Sequence, residues 1–190
     1  MRLANDRDNY GLIAILLHWL MALAIYALFG LGLWMRELGY YDPWYQLGPW
    51  WHKGMGVMLF FVLLLRLVWR FTSPRPDNLS THKPYERKAA TLVHWLLYLL
   101  IFTVMISGYL ISTADGRSLA VFDWFTIPAT LSGIDGQEDI AGKVHLYLAW
   151  SIIVLSLLHS LAALKHHFFD HDRSLKRMLG IRNDSEERSR

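Results

Sequence analysis

The chain has 190 residues, of which 54% are hydrophobic and only 18% are charged. A soluble domain of this size cannot bury so much apolar side-chain surface, so the composition favours a membrane protein over a soluble helical bundle. The formal net charge of +3 is too small to indicate nucleic-acid binding, and the absence of cysteine excludes disulfides, thiolate-bound clusters and cofactors attached through Cys-x-x-Cys-His.

Four apolar runs are long enough to cross a bilayer, which requires roughly 20 residues. Polar sequence containing proline or glycine separates each run from the next. The predicted transmembrane helices span residues 11–35, 52–71, 89–111 and 141–164. We therefore predict an all-α integral membrane four-helix bundle that forms one transmembrane domain over residues 1–180, with a disordered tail at 181–190.

The predicted loops have distinct compositions. The first span is followed by RELGYYDPWYQLGPWW, a loop whose Tyr and Trp residues are typical of the membrane interface. The second span ends at the prolines of TSPRP, and the third ends at the turn sequence STADG. In the largest loop, residues 112–140, the cluster VFDWF is predicted either to lie in the interface or to cover a site.

The charges of the loops orient the bundle. Basic residues lie between the second and third spans (Arg70, Arg75, Lys83, Arg87 and Lys88) and again after the fourth span. Residues 112–143 instead carry five acidic residues against two basic ones. Because an excess of Lys and Arg marks the cytoplasmic side, we predict that both termini are cytoplasmic and that the 36–51 and 112–140 loops are outside.

Histidines are concentrated at two depths of the predicted bundle. His52 and His145 form an outer layer, near the outer ends of the second and fourth spans. The inner layer contains His18, His94 and His159. Ionisable side chains at membrane depth are rare and generally functional, so five of them at matched depths indicate a functional site. In contrast, His82 and His171 fall in polar sequence and are predicted to be solvated.

Helix geometry relates the two histidines of the fourth span. His145 and His159 are fourteen residues apart, which corresponds to about 21 Å along a helix and a return to within roughly 40° of the starting direction. Both imidazoles are therefore predicted to point into the same interior, one near each membrane surface. This spacing suits two stacked cofactors that share one helix.

The predicted spans contain no Asp or Glu. This disfavours a proton or cation channel and a dinuclear iron site, both of which use carboxylates. Zinc needs three or four ligands at one point, whereas the outer layer offers two. Two neutral imidazoles in an apolar pocket suit the axial positions of a haem, although the spacing does not decide whether His18 or His94 pairs with His159.

A haem also needs cations for its propionates and space beside its ring. Three cations are candidate propionate partners, namely Lys53, Arg66 and Arg70. Arg66 lies fourteen residues after His52 and is predicted to reach the inner layer, the alternative being extension towards the inner headgroups. Glycines near the expected haem planes permit close approach of a helix or a macrocycle (Gly30, Gly32, Gly54, Gly56 and Gly108).

Four segments carry a family resemblance, namely LHWLMALAIY, PWWHKGMGVMLFFVLLLRLVWR, LVHWLLYLLIFTVMISGYLIS and KVHLYLAWSIIVLSLLHSLAALKHHFF. Together they resemble the bacterial cytochrome b561 family of four-helix di-haem membrane proteins over roughly residues 8–180. The resemblance implies two non-covalent b haems, with His18 and His159 as axial ligands of the inner haem and His52 and His145 as those of the outer haem. It leaves His94 to support the ligands or to lie on the quinone side.

The LKHHFF motif resembles the quinone-site neighbourhood of this family. The resemblance nominates His166 for the quinone side, the alternative being that His166 and His167 form a histidine pair at the helix end and membrane interface.

The resemblance also implies a function. It implies electron transfer across the bacterial inner membrane, between ubiquinone or menaquinone and a periplasmic redox partner. One alternative is a superoxide:quinone oxidoreductase, which would benefit from a positive outer face and is disfavoured by the acidic 112–143 loop. Another is a haem-bearing membrane anchor subunit of a larger redox enzyme. The expected partners are therefore the lipid bilayer, quinone and the periplasmic protein, without nucleic acid, and an oligomer is compatible with this interpretation.

Overall fold

Four long apolar helices dominate the computed structural model, which describes residues 2–77, 79 and 82–181. They are α1 (Leu12–Trp34), α2 (Trp44–Thr72), α3 (Pro84–Ser112) and α4 (Gln137–Phe168), and their most apolar windows have mean hydropathies of 1.8 to 2.4. Two short strands, β1 (Leu119–Val121) and β2 (Phe125–Ile127), lie between α3 and α4, and a short helix, α5 (Ser174–Met178), follows. The predicted all-α four-helix membrane bundle is confirmed.

Large apolar side chains cover the outside of this bundle. Leu23 of α1, Leu65 of α2, Leu99 of α3 and Leu161 of α4 are each 59–68% exposed. A contiguous apolar exterior of this kind is unfavourable in water, but lipid tails solvate it in a bilayer. The exposure pattern therefore agrees with a protein that crosses the membrane several times.

The buried core lies halfway along the bundle. It contains Met21 of α1, Leu59 and Leu63 of α2, Ile101 of α3 and Ile152 of α4. Ile152 is seven residues from each of the two α4 histidines, so this apolar packing separates the outer histidine layer from the inner one.

The helices extend beyond the predicted apolar runs. Helix α2 begins at Trp44 rather than at residue 52, α3 begins at Pro84 rather than at 89, and α4 adds four residues at each end. Hydropathy marks only the lipid-facing part of a helix, whereas polar residues continue it into the headgroup region. At the start of α3, Pro84 occupies a position that needs no N–H donor, and the Glu86 carboxylate accepts a hydrogen bond from the Lys83 N–H at 2.9 Å. The predicted tail at 181–190 lies outside the described residues apart from Ile181.

A two-stranded hairpin covers the outer end of α2. Strands β1 and β2 are antiparallel, and their turn places Phe122 and Asp123 in the left-handed region, with φ of 48° and 61°. The Phe122 ring packs edge-on against Trp50 and Trp51, with centroid distances of 4.9 and 5.4 Å. It occupies the space that a side chain at Gly54 would need. Of the two interpretations of VFDWF, the packing of Phe122 favours a cover over this end.

Candidate functional site

The outer layer brings two imidazoles close together. The ring centroids of His52 on α2 and His145 on α4 are 6.1 Å apart, and the ring planes differ by 69°. Two imidazoles that bind one metal ion from opposite sides, each through a ring nitrogen at about 2 Å, have centroids roughly 6 Å apart. The separation therefore suits one ion between the two rings.

Hydrogen bonding fixes the tautomer of His145. Its Nδ1–H donates to the Val104 carbonyl oxygen of α3 at 2.9 Å, and the Ser107 hydroxyl oxygen lies 3.1 Å from the same nitrogen. A carbonyl oxygen can only accept, so Nδ1 carries the proton and Nε2 keeps its lone pair. Metal-binding histidines are held in the same way by a partner on their other nitrogen.

Two glycines provide room for the outer rings. A Cβ added at Gly32 of α1 would lie 3.1 Å from Cε1 of His52, and one at Gly108 of α3 would lie 3.1 Å from Cε1 of His145. Any larger residue would therefore displace the facing imidazole. At Gly30 and Gly56, by contrast, an added Cβ would meet no described atom within 4 Å.

A cavity of about 960 Å³ adjoins these residues and is lined mainly by apolar side chains. Its size is at the upper end of the roughly 300–1,000 Å³ typical of ligand pockets. The lining includes four cations and two acidic residues, namely Arg36, Lys53, Arg117, Lys143, Asp115 and Glu138. Arg117 donates to Asp115 at 2.6 Å, and this hydrogen bond lowers the pKa of the Asp115 carboxyl. The cavity thus combines an apolar wall with cations that can hold anionic groups.

Only Lys53 among these cations was a sequence candidate. Arg36 and Lys143 were not predicted, because the three candidate propionate partners all lie on α2. Both lie close to the predicted outer ends of spans, at the depth of His52 and His145. The sequence signal for Arg36 and Lys143 is therefore a cation at the depth of the outer histidines, on any of the four spans.

The inner layer brings three histidines together. His18 of α1 and His159 of α4 have ring centroids 6.4 Å apart, whereas His94 of α3 is 5.1 Å from His159. The first distance is close to that of two imidazoles facing each other across one ion, and the second is shorter. All three histidines nominated from the sequence therefore meet at this end.

Arg66 of α2 reaches this layer, as its spacing from His52 predicts. Its Nη2–H donates to His18 Nδ1 at 2.9 Å, and its Nε–H donates to the Tyr98 hydroxyl at 3.0 Å. A guanidinium cannot accept a hydrogen bond, so Nδ1 of His18 is the acceptor and the proton of the neutral ring is on Nε2. This tautomer is the opposite of the one at His145.

The inner cations keep unused donors. The Arg70 guanidinium lies over the rings of Trp95 and Tyr98, with its Cζ 5.6 and 5.5 Å from their centroids. In the described part of the chain, Nη1 of Arg66 and Nε of Arg70 are buried and have no hydrogen-bond partner. Buried donors without acceptors are costly, so both guanidinium groups suit a ligand that carries carboxylates.

Beyond the inner layer lies a polar cluster, in which one predicted position is wrong. His82 was predicted to be solvated, but its Nε2–H donates at 2.6 Å to Asp172, whose side chain is only 1% exposed. His166 Nδ1 lies 2.6 Å from an oxygen of Asp170, and Lys165 donates to the same carboxylate and lowers its pKa. His171, the other histidine predicted to be solvated, is exposed.

The residues of both histidine layers fit b-type haem. The outer end offers facing imidazoles, a preset Nε2 lone pair and cations beside an apolar cavity. The inner end offers facing imidazoles and buried guanidinium donors without acceptors, although His18 must change tautomer before its Nε2 can bind a metal.

Comparisons with known proteins agree with this chemistry. The chain is 51% identical over 180 residues to cytochrome b561 homolog 2 of Escherichia coli (strain K12). This alignment covers 95% of the present chain and 96% of the Escherichia coli protein. It is 29% identical over 172 residues to the probable superoxide oxidase CybB of Yersinia pestis. That alignment covers 90% of the present chain and 96% of the Yersinia pestis protein. A family model described as prokaryotic cytochrome b561 matches residues 9–180. This multi-pass membrane protein therefore belongs to the prokaryotic cytochrome b561 family, whose members bind b-type haem and transfer electrons.

Proposed function

We propose that the protein carries electrons across the membrane through two non-covalent b haems. His52 and His145 bind the outer haem, and His18 and His159 bind the inner one. The observation that carries this proposal is the pair of facing imidazole sets, 6.1 and 6.4 Å between centroids, at opposite ends of one apolar bundle. A haem bound by two of these imidazoles would supply one-electron transfer.

The chain prepares one of the outer ligands, His145, without a change of tautomer. The Val104 carbonyl holds the Nδ1 proton of His145, so its Nε2 lone pair stays available, and Phe122 limits the access of water at this end. Lys53, Arg36 and Lys143 line the cavity, and their charges would hold the haem propionates.

The inner ligands need one change. For His18 to bind through Nε2, its proton must move to Nδ1, and Nδ1 can then no longer accept a hydrogen bond from Arg66. Arg66 must therefore turn away from His18, which frees its guanidinium for a propionate. Arg70, whose Nε has no described partner, is the second cation for this role.

The two ends then face different redox partners. We place both termini in the cytoplasm and the protein in the bacterial inner membrane, with ubiquinone or menaquinone at the inner end and a periplasmic protein at the outer end. His94 and His166 are the proposed quinone-side residues, because the His94 ring centroid is 5.1 Å from that of His159 and His166 lies about two turns beyond His159 on α4. The basic inner loop and tail support this orientation.

A second candidate function is oxidation of superoxide at the outer end. Four cations and two acidic residues line the outer cavity, so its net charge is positive. The 112–143 loop as a whole is instead negative. A cationic cavity attracts a small anion and raises its rate of encounter. The Yersinia pestis relative whose name includes superoxide oxidase supports the same candidate.

The test uses the purified full-length protein. We expect a red protein with a low-spin b-type spectrum and about two haems per chain by the pyridine haemochrome assay. Rapid mixing of the oxidised protein with quinol and, separately, with superoxide should show which of them reduces the haems. A folded but colourless protein would refute the proposal, and reduction by superoxide but not by quinol would favour the second candidate.

A further inference from the structure

The inner end contains a second cluster of metal-binding residue types, outside both histidine layers. His82 comes from the segment between α2 and α3, His166 from the last turn of α4, and Asp172 from the segment before α5. The backbone helps to join these segments, because the Asp172 N–H donates to the His166 carbonyl oxygen at 3.0 Å. Neither proposed haem uses these three residues, and only His166 also has a role in the proposed function, on the quinone side.

The ligand atoms of these residues converge. Those of His82, His166 and Asp172 all lie within 4.8 Å of one another. The Asp172 Oδ2 atom is 2.6 Å from Nε2 of His82 and 3.9 Å from Nδ1 of His166, and the two imidazole centroids are 4.6 Å apart. Ligands of a tetrahedral ion with bonds of about 2.1 Å are about 3.4 Å apart, so shifts on the order of 1 Å would bring all three into coordination.

The carboxylate is held in place before any ion binds. Its Oδ1 accepts the Ser174 N–H at 2.8 Å, and its Oδ2 accepts the Ser174 hydroxyl at 3.1 Å. These bonds fix the orientation of a potential ligand, as the supporting hydrogen bonds of metal sites do.

The surroundings of the Asp172 carboxylate also favour binding of a cation. Its side chain is 1% exposed, and across residues 2–77, 79 and 82–181 it forms ion pairs with His82 and His166 but with no Lys or Arg. A buried carboxylate without a permanent counter-charge is costly. The neighbouring acidic residues differ, because Lys165 lies 3.1 Å from Glu86 and 2.7 Å from Asp170.

We propose that His82, His166 and Asp172 bind a divalent transition-metal ion of the Zn²⁺ type at the inner end of the bundle. Two imidazoles and one carboxylate are a common ligand set for Zn²⁺, with a fourth position left for water. Binding would displace the proton that His82 donates to Asp172, and the Nδ1 proton that His166 donates to Asp170 would shift to its Nε2. It would also tie the segment between α2 and α3 to the end of α4 and to the segment before α5.

The test is zinc binding to the haem-loaded, full-length protein without an affinity tag. Competition with a chromophoric chelator should show one Zn²⁺ per chain, and zinc-edge X-ray absorption should show two imidazole ligands. His82→Gln and Asp172→Asn should each weaken binding at least about tenfold, by loss of a ligand. His171→Asn is the matched control, because His171 is exposed, lies next to Asp172 and has a φ of 53° that Asn tolerates.

His82→Gln keeps the test decisive should the buried Asp172 variant fail to fold. Unchanged zinc binding in a folded His82→Gln protein, or loss of binding in Glu86→Gln instead, would overturn the proposal, since the second result would assign the ion to Glu86, His166 and Asp170. No quinone is used, so failure of the metal site leaves the proposed electron-transfer function untouched.

Discussion

The outer and inner histidine layers use the same residue type but are prepared differently for a ligand. At the outer end, a carbonyl oxygen accepts the Nδ1 proton of His145, and two glycines leave room for the rings. At the inner end, Arg66 donates to His18 and holds the opposite tautomer, while a third histidine, His94, lies beside His159.

The two layers therefore differ in how much the protein must change before a cofactor binds. At the outer end His145 is preorganised by its hydrogen bond, so this ligand needs no change of tautomer. The inner end instead keeps a buried guanidinium against an imidazole, and the guanidinium must be released before His18 can act as a ligand. We therefore expect the outer site to be sensitive to steric change and the inner site to be sensitive to change in charge.

The largest expected effect comes from removing the axial ligands. His145→Ala should abolish the outer haem and His159→Ala the inner one, because each removes one of two protein ligands. The measurement is haem content per chain together with a redox titration that resolves the two components. Loss of the same component in both variants would contradict the assignment of the histidines to two layers.

A second pair of variants tests whether His18 or His94 is the partner of His159. His18→Ala should remove the inner haem, whereas His94→Ala should keep both haems, since only the centroid distance from His18 to His159 suits two rings on opposite sides of one ion. Retention of both haems in His18→Ala, with loss in His94→Ala, would assign the ligand role to His94.

A smaller effect is expected from the cations. Arg66→Gln should lower the midpoint potential of the inner haem by roughly 60 mV, which corresponds to a tenfold change in a one-electron equilibrium. The reason is that a nearby positive charge favours the reduced, less positive state of a haem. Lys53→Gln should lower the outer potential instead, and Arg87→Gln, at an exposed position near the start of α3, is the control. Equal shifts of both potentials in Arg66→Gln would argue against a local role.

The smallest effect is expected from Gly32→Ala. The added Cβ lies 3.1 Å from the His52 ring, and such overpacking costs about 1 kcal/mol, or roughly a fivefold faster loss of the outer haem. Gly30→Ala is the control on the same helix, because a Cβ there meets no described atom within 4 Å. Transfer of haem to an acceptor protein measures the rate, and equal rates in the two variants would show that the outer site tolerates steric change.

The two layers could be predicted from the sequence because helix geometry fixes depth and direction along one helix. Fourteen residues relate His145 to His159, and also His52 to Arg66. Depth does not fix which helices are neighbours, however. His18 and His94 have similar depths, so their relation to His159 required either packing in three dimensions or the family resemblance.

Other features could not be predicted because their partners are far apart in the chain or lack a strong local signal. His82 and Asp172 are ninety residues apart, so no local spacing in the sequence relates the two side chains. The hairpin of β1 and β2 turns at Phe122 and Asp123 rather than at the Asn-Gly or Asp-Gly pairs that mark hairpins.

Helix α4 has a mechanical consequence for the whole bundle, because it carries one imidazole of each facing pair. A rigid helix transmits rotation about its axis over its full length, so any twist that aligns His145 at one end also turns His159 at the other. The two ends therefore share one torsional degree of freedom, although the packed core lies between them. A ligand bound at either end restrains this rotation. Binding at the other end then costs less conformational entropy.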